Sequence, residues 1–166
     1  FVPFRKPLEL PPFKNLNSDY SNITITSIGK LEERKRLREV LSLGEELAKK
    51  ELFVSINLNV FFTFKDIYSK SILKILENYR NKLINLYPNL NIDFFNSSPN
   101  NKVLEKLSDS HIFFHPAYNE AACYSVVEAF SVGAYIISND TCFTSDYLPY
   151  SYCRKKYYQS FNCYIF

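Results

Sequence analysis

The feature that most constrains this chain is an alternation, repeated five times, between short runs of β-branched and aromatic residues and longer amphipathic or polar stretches. Residues 22–28 (NITITSI) read as a strand, because β-branched side chains pack well on a pleated surface. Residues 31–50 then place Leu37, Val40, Leu41 and Leu47 on one side amid dense charge, the pattern of an amphipathic helix. Residues 52–58 (LFVSINL) read as a second strand. Residues 65–87 carry Ile67, Ile72, Ile75, Leu76, Tyr79, Leu83 and Leu86 at helical spacing and stop before Pro88. A strand over 91–95, a short helix over 99–107, a strand over 112–115, a helix over 124–132 closed by Gly133 and a strand over 135–138 complete the series. Parallel strands need crossover connections, and the crossovers cover both faces of the sheet. The predicted fold is therefore α/β: a doubly wound, Rossmann-like, mainly parallel sheet. Ligands on such sheets bind outside the carboxyl ends of the strands.

Length and charge narrow the remaining classes. The 166 residues make one domain plus a short arm, and a chain of this size buries about two-thirds of its unfolded surface without a metal or disulfide staple. With 46% hydrophobic and 22% charged residues, it is not a disordered chain. A net charge of +3 is too mild to argue for nucleic acid or an anionic membrane. No run reaches the roughly 18 apolar residues of a membrane span.

Cys123, Cys142, Cys153 and Cys163 form no C-x-x-C pair, so reduced thiols and no metal site are expected. Residues 1–21, with Pro3, Pro7, Pro11 and Pro12, read as an extended arm or interdomain linker. Residues 22–140 form the domain. Residues 141–166 are Tyr-rich without periodicity and receive no assignment. The chain lacks Met and starts at Phe1, which reads as a piece of something longer.

Two segments carry candidate chemistry. Gly29-Lys30-Leu31-Glu32-Glu33-Arg34-Lys35-Arg36 follows a strand and opens a helix. Gly29 would let the backbone turn sharply, and Lys30 and Lys35 would join the free N–H groups of a helix start around a phosphate. A solvated helix face laced with Glu–Lys pairs is the other reading. The second segment runs from His115 to Ala129 and enters a helix from a strand's carboxyl end. Glu120 falls in its loop and Glu128 in its helix among Val126, Val127, Ala129 and Phe130. A carboxylate in apolar surroundings needs a partner, and ligand hydroxyls are good ones. A capping Glu120 and an exposed Glu128 form the alternative. His115 reads as a strand-end packing residue.

The order strand–GKLEERK–helix, followed by FFHPAYNEAACYSVVEAFSVGAYIISND, resembles the donor-binding domain of retaining GT-B glycosyltransferases of the group 1, mannosyl/glucosyl type. Their pattern is a strand with G-R-L-x-x-x-K-G, then a strand ending near Pro, E-x7-E and A-x-G-x-P-V-I-A-S. The resemblance covers residues 23–140. It implies that Lys30, in place of the family's Arg, and Lys35, with Gly29 beside them, meet the donor diphosphate. It implies that Glu120 faces the transferred sugar as the catalytic carboxylate and that Glu128 accepts hydrogen bonds from the ribose. The backbone N–H groups of Ala122, Cys123 and Tyr124 would face the phosphates.

The sequence departs from the family at Ala121 and Cys123, where Gly is usual, and at Arg36, which replaces the Gly after the family's Lys. Asn57-Leu58-Asn59 stands where a Gly-rich loop is usual, and Tyr135 replaces a Pro. The implied activity is hexose transfer from a UDP-, GDP- or ADP-sugar to an acceptor hydroxyl, with no cofactor or metal. A missing N-terminal domain would bind the acceptor, and this chain alone would be inactive. The implied location is the cytoplasm or the cytoplasmic face of a membrane, any membrane contact running through the missing part. The alternative is a non-catalytic nucleotide-sugar-binding or interaction module on the same fold.

Overall fold

The structure is a computed structural model. It describes residues 21–118, 120 and 123–139, together with the backbone of 154–158 and 161–165. Most of the N-terminal arm expected over 1–21 lies outside the described residues.

Five parallel strands form the body of the sheet: β1 (Asn22–Lys30), β2 (Ser55–Thr63), β3 (Leu90–Asn96), β4 (Ile112–His115) and β5 (Tyr135–Asn139). Four helices connect them: α1 (Leu37–Lys49), α2 (Ser69–Leu86), α3 (Asn100–Asp109) and α4 (Tyr124–Ser131). Two more strands, β6 (Arg154–Tyr158) and β7 (Phe161–Ile165), pair with each other antiparallel, and β7 joins the edge of β5. The sheet order is β3-β2-β1-β4-β5-β7-β6. The chain winds from β1 outward to β3, then crosses back to lay β4 on the other side of β1. That reversal places a crevice between the carboxyl ends of β1 and β4.

Two cores follow from the alternation of side chains along the strands. Ile23 and Ile25 of β1 and Ile56, Leu58, Val60 and Phe62 of β2 pack with Val40 and Leu41 of α1 and Leu76 and Leu83 of α2. On the other face, Phe113 of β4 and Ile136 of β5 pack with Leu107 of α3 and with Val126, Ala129 and Phe130 of α4. Burying one large apolar side chain contributes about 1.5–3 kcal/mol, so these two layers hold the sheet between the helix pairs. The polar residues of β1 are also used: the buried Thr26 hydroxyl meets Ser110 Oγ and accepts from Asn59 Nδ2 at 3.3 Å. Helix α4 ends in a Schellman turn. Gly133 sits at φ 79°, with Gly133 N–H donating to Phe130 O at 3.0 Å and Ala134 N–H to Ala129 O at 3.1 Å.

Four expectations need correction. Strand β2 lies at 55–63 rather than 52–58: the run Val60-Phe61-Phe62-Thr63 continues the ladder, and Asn57-Leu58-Asn59 is mid-strand, not a loop. The helix expected over 31–50 is broken. Glu33–Lys35 form a 3-10 turn, Arg36 takes a left-handed conformation at φ 50°, and only then does α1 begin. Gly29 does not turn the chain, because it pairs with Phe62 inside β1. A Cβ there would meet Leu37 Cδ2 and Lys35 Cβ at 3.3 Å, so space, not backbone freedom, favours glycine. The Tyr-rich segment, left without assignment, supplies the strands β6 and β7.

Candidate functional site

The crevice between β1 and β4 opens into a pocket of about 320 Å³. Its floor is Ile28, Gly29 and Lys30 from the end of β1, and Phe61, Phe62 and Thr63 from the end of β2. Ser98, Asn100 and Val103 form one side, at the start of α3. Glu120, Cys123, Tyr124, Ser125 and Glu128 form the other, at the start of α4. The sequence-derived residues Gly29, Lys30, Lys35, Glu120, Cys123, Tyr124 and Glu128 therefore share one cavity, although ninety-nine positions separate the first from the last. Ala121 and Ala122 lie outside the described residues.

The 3-10 turn is what delivers Lys35. Leu31, 1% exposed, anchors it: its N–H donates to Thr63 O at 2.9 Å, and its carbonyl accepts from Ser69 Oγ at 2.9 Å. The turn is tied to the next loop as well, because Tyr118 N–H donates to Arg34 O at 2.8 Å. Lys35 Nζ then reaches Glu120 Oε1 at 2.7 Å, and Arg34 Nη1 pairs with the same oxygen. Arg34 Nη2 also meets Glu32 at 2.7 Å, and Glu32 meets Lys65 at 2.6 Å. A chain of alternating charges thus runs from Lys65 through Glu32 and Arg34 to Glu120 and Lys35, the last two lining the pocket. Burial of the Glu120 carboxyl opposes its charge, but the bonds and charges of Lys35 and Arg34 overcome this and hold it below the usual carboxylate range.

Glu128 is the opposite case. It is half-buried on α4, and its carboxylate has no partner among the described residues. Burial alone raises its pKa above the ordinary value. A carboxylate left unpaired against a cavity is a standing cost in the empty protein, and hydroxyl donors from a ligand would relieve it.

At the N-terminus of α4, Cys123 takes the cap position with no side-chain cap bond, and Cys123, Tyr124 and Ser125 of this helix start, whose first N–H groups lack helical partners, line the cavity. Lys30 is exposed at the rim. His115, at the end of β4, is 1% exposed. Burial and the nearby charges of Lys35 and Arg34, against Glu120, lower its pKa to about 4, so it is neutral at physiological pH. Its Nδ1 lies 3.7 Å from Cys123 Sγ, and its ring stacks on Phe113 at 6.1 Å. The sequence reads it as strand-end packing ahead of a residue that approaches a ligand; the stack agrees with packing, and His115 is not among the residues that line the pocket. Sequence reasoning missed Arg34. The only signal for Arg34 was its place beside Lys35 in the turn, where helical periodicity would have pointed it elsewhere.

This arrangement can hold an anion between Lys30, Lys35 and the start of α4, and hydroxyls against Glu120 and Glu128. Among the described residues no helix is long and apolar enough to cross a membrane.

Solved structures with this fold include three trehalose-phosphate synthases. The E. coli trehalose-6-phosphate protein bound with UDP-2-fluoro glucose is 14% identical with a TM-score of 0.66, covering 76% of this chain and 31% of that one. The UDP-forming synthase from Burkholderia xenovorans is 12% identical with a TM-score of 0.68, covering 78% and 32%. The synthase from Burkholderia multivorans is 10% identical with a TM-score of 0.68, covering 76% and 30%. The chain spans about a third of the length of these structures. No curated protein matches it in sequence. The family model for glycosyl transferases group 1 matches residues 12–149, and with that match over a doubly wound sheet whose switch point carries these residues, the chain belongs to the group 1 glycosyltransferases.

Proposed function

We propose that this chain is the donor-binding half of a retaining glycosyltransferase that moves a hexose from a nucleotide-diphosphate sugar to an acceptor hydroxyl. The observation that carries the reading is Glu128, a carboxylate with no partner among the described residues, lining a cavity that also holds the cations of Lys30 and Lys35. In this scheme the ribose hydroxyls donate to Glu128, and the diphosphate sits between the lysines and the start of α4. Lys35 has three donor hydrogens. Its bond to Glu120 therefore leaves two for phosphate oxygens. Negative charge grows on the departing nucleoside diphosphate, and donors already in place stabilise it as it forms. Glu120, kept ionised by Lys35 and Arg34, accepts from sugar hydroxyls near the anomeric carbon. The acceptor oxygen must be held about 3–3.5 Å from that carbon, which calls for a second wall; we assign it to an acceptor-binding domain outside this chain.

The E. coli structure bound with UDP-2-fluoro glucose makes UDP-glucose the first donor to try. Calorimetric titration with UDP, GDP and ADP, and with their glucose conjugates, tests the reading. Binding of at least one is expected, and Lys35→Ala should weaken the diphosphate while leaving the free nucleoside unchanged. No heat and no thermal shift with any of them at millimolar concentration would overturn the donor site. Equal loss of nucleoside and diphosphate would overturn the role of Lys35.

The same fold serves equally as a non-catalytic nucleotide-sugar-binding module. The pairing of Glu120 with both Arg34 and Lys35 favours that second reading, since it withdraws the carboxylate from a sugar. Nucleotide-sugar binding without any transfer, in a protein that supplies both domains, would decide for the module, and transfer that falls in Glu120→Gln would decide against it.

A further inference from the structure

Three different metal-ligating groups gather at the edge of the pocket: Glu120 and Cys123 line it, and the buried His115 stands next to Cys123. His115, Glu120 and Cys123 each offer a ligand atom, and these atoms all lie within 4.8 Å of one another. Among the described residues this is the one such cluster. The three come from consecutive pieces of structure: the last residue of β4, the following loop and the cap of α4.

The spacing suits a tetrahedral ion. With Zn–N near 2.0–2.1 Å and Zn–S near 2.3 Å, two ligands of one tetrahedral zinc stand about 3.6 Å apart. His115 Nδ1 and Cys123 Sγ are separated by 3.7 Å. Bringing the outermost ligand atom into range takes a side-chain movement of about 1 Å. Both cations address Glu120 at the same oxygen, Oε1, so Oε2 can ligate without breaking either ion pair. The His115 ring is fully buried and stacked on Phe113, and the one polar contact its Nδ1 makes among the described residues is to Cys123 Sγ, the other proposed ligand, which an ion placed between them would replace. Ser125 Oγ stands 3.1 Å from the sulfur, where its O–H can donate to a thiolate.

We propose that His115, Glu120 and Cys123 bind a thiophilic divalent cation of the zinc class, with the fourth position open to the pocket. Mixed thiolate, imidazole and carboxylate donors select zinc over magnesium or calcium, which prefer all-oxygen shells. Binding releases one proton, from the Cys123 thiol to solvent. On the reading of the pocket as a donor site, the ion draws Glu120 away from the sugar and lowers affinity for the nucleotide sugar.

The test uses the chain without nucleotide, so its outcome is independent of the donor reading. Cobalt(II) should give a thiolate-to-metal charge-transfer band that zinc displaces at one equivalent and magnesium does not. Cys123→Ser should abolish the band and weaken zinc by about tenfold or more, with the thermal melt confirming that the variant is folded. On the unaltered chain, one equivalent of zinc should slow alkylation of Cys123, read by peptide mass, by about tenfold or more. A charge-transfer band that persists in Cys123→Ser, or alkylation of Cys123 unaffected by zinc, would overturn the proposal.

Discussion

Two residues carry a local cost in the folded chain, one through its backbone and one through its charge. Arg36 is held left-handed at φ 50°, a conformation that costs a side-chain-bearing residue about 1–2 kcal/mol. Its guanidinium meets Glu39 at 3.0 Å, a half-buried pair across the start of α1. Glycine carries no such strain, so Arg36→Val should fall about 1–2 kcal/mol below Arg36→Gly. Urea midpoints rank the two; a valine variant as stable as the glycine one would refute the strain. Glu128 gives a pH-dependent case. Its folded pKa is raised by burial, so the folded state holds the proton more tightly than the unfolded chain. Stability is then lost as pH rises from about 4.5 through that raised value. Glu128→Gln should melt higher than the parent at pH 7, with the difference shrinking toward pH 4, while its nucleotide affinity falls. A lower melting point at pH 7 would show that Glu128 has a partner that stabilises its charge.

At the scale of elements, the packing of α1 on the sheet is closer than its amphipathic pattern implies. A Cβ on Gly44 would stand 2.5 Å from Leu58 Cδ1 and 3.3 Å from Leu90 Cδ1. Leu58 and Leu90 are 1% and 2% exposed, and neither has room to swing away. Gly44→Val should destabilise by about 1–3 kcal/mol despite removing a helix-interior glycine. The same change should displace α1, and with it the turn that carries Lys35, so nucleotide affinity should fall together with the denaturation midpoint. An unchanged midpoint would mean that the helix sits farther from β2 than the structure places it.

At the scale of the whole molecule, the site depends on the order of the strands. Lys35 and Glu120 are far apart in sequence and meet because β4 returns to the side of β1 away from β2. One wall of a cleft lacks the means to orient an acceptor and exclude water. We therefore predict that this chain, given UDP-glucose and candidate acceptors, shows slow hydrolysis rather than transfer. Chromatography of radiolabelled products would decide it, and efficient transfer by this chain alone would refute the division of labour.

What the amino-acid order determined by itself was the succession of elements from β1 to β5 and the charged residues of the pocket, Lys30, Lys35, Glu120 and Glu128. Each rests on local physics: periodicity of apolar residues, glycine and proline at boundaries, and motif spacing around Glu120 and Glu128. What only the tertiary structure decided is how those residues address one another. The break of the expected helix at Glu33–Lys35 depends on Leu31 bonding to Thr63 and Ser69, which are brought near only by the sheet. That break turns Lys35, and Arg34 with it, onto Glu120. The strands β6 and β7 have no periodic signal because an edge hairpin draws its ladder from pairing with β5, a partner that local sequence does not contain. The juxtaposition of His115 and Cys123 is likewise a product of packing: their separation is set by where β4 ends and where α4 begins, and spacing between cysteines carries no record of it.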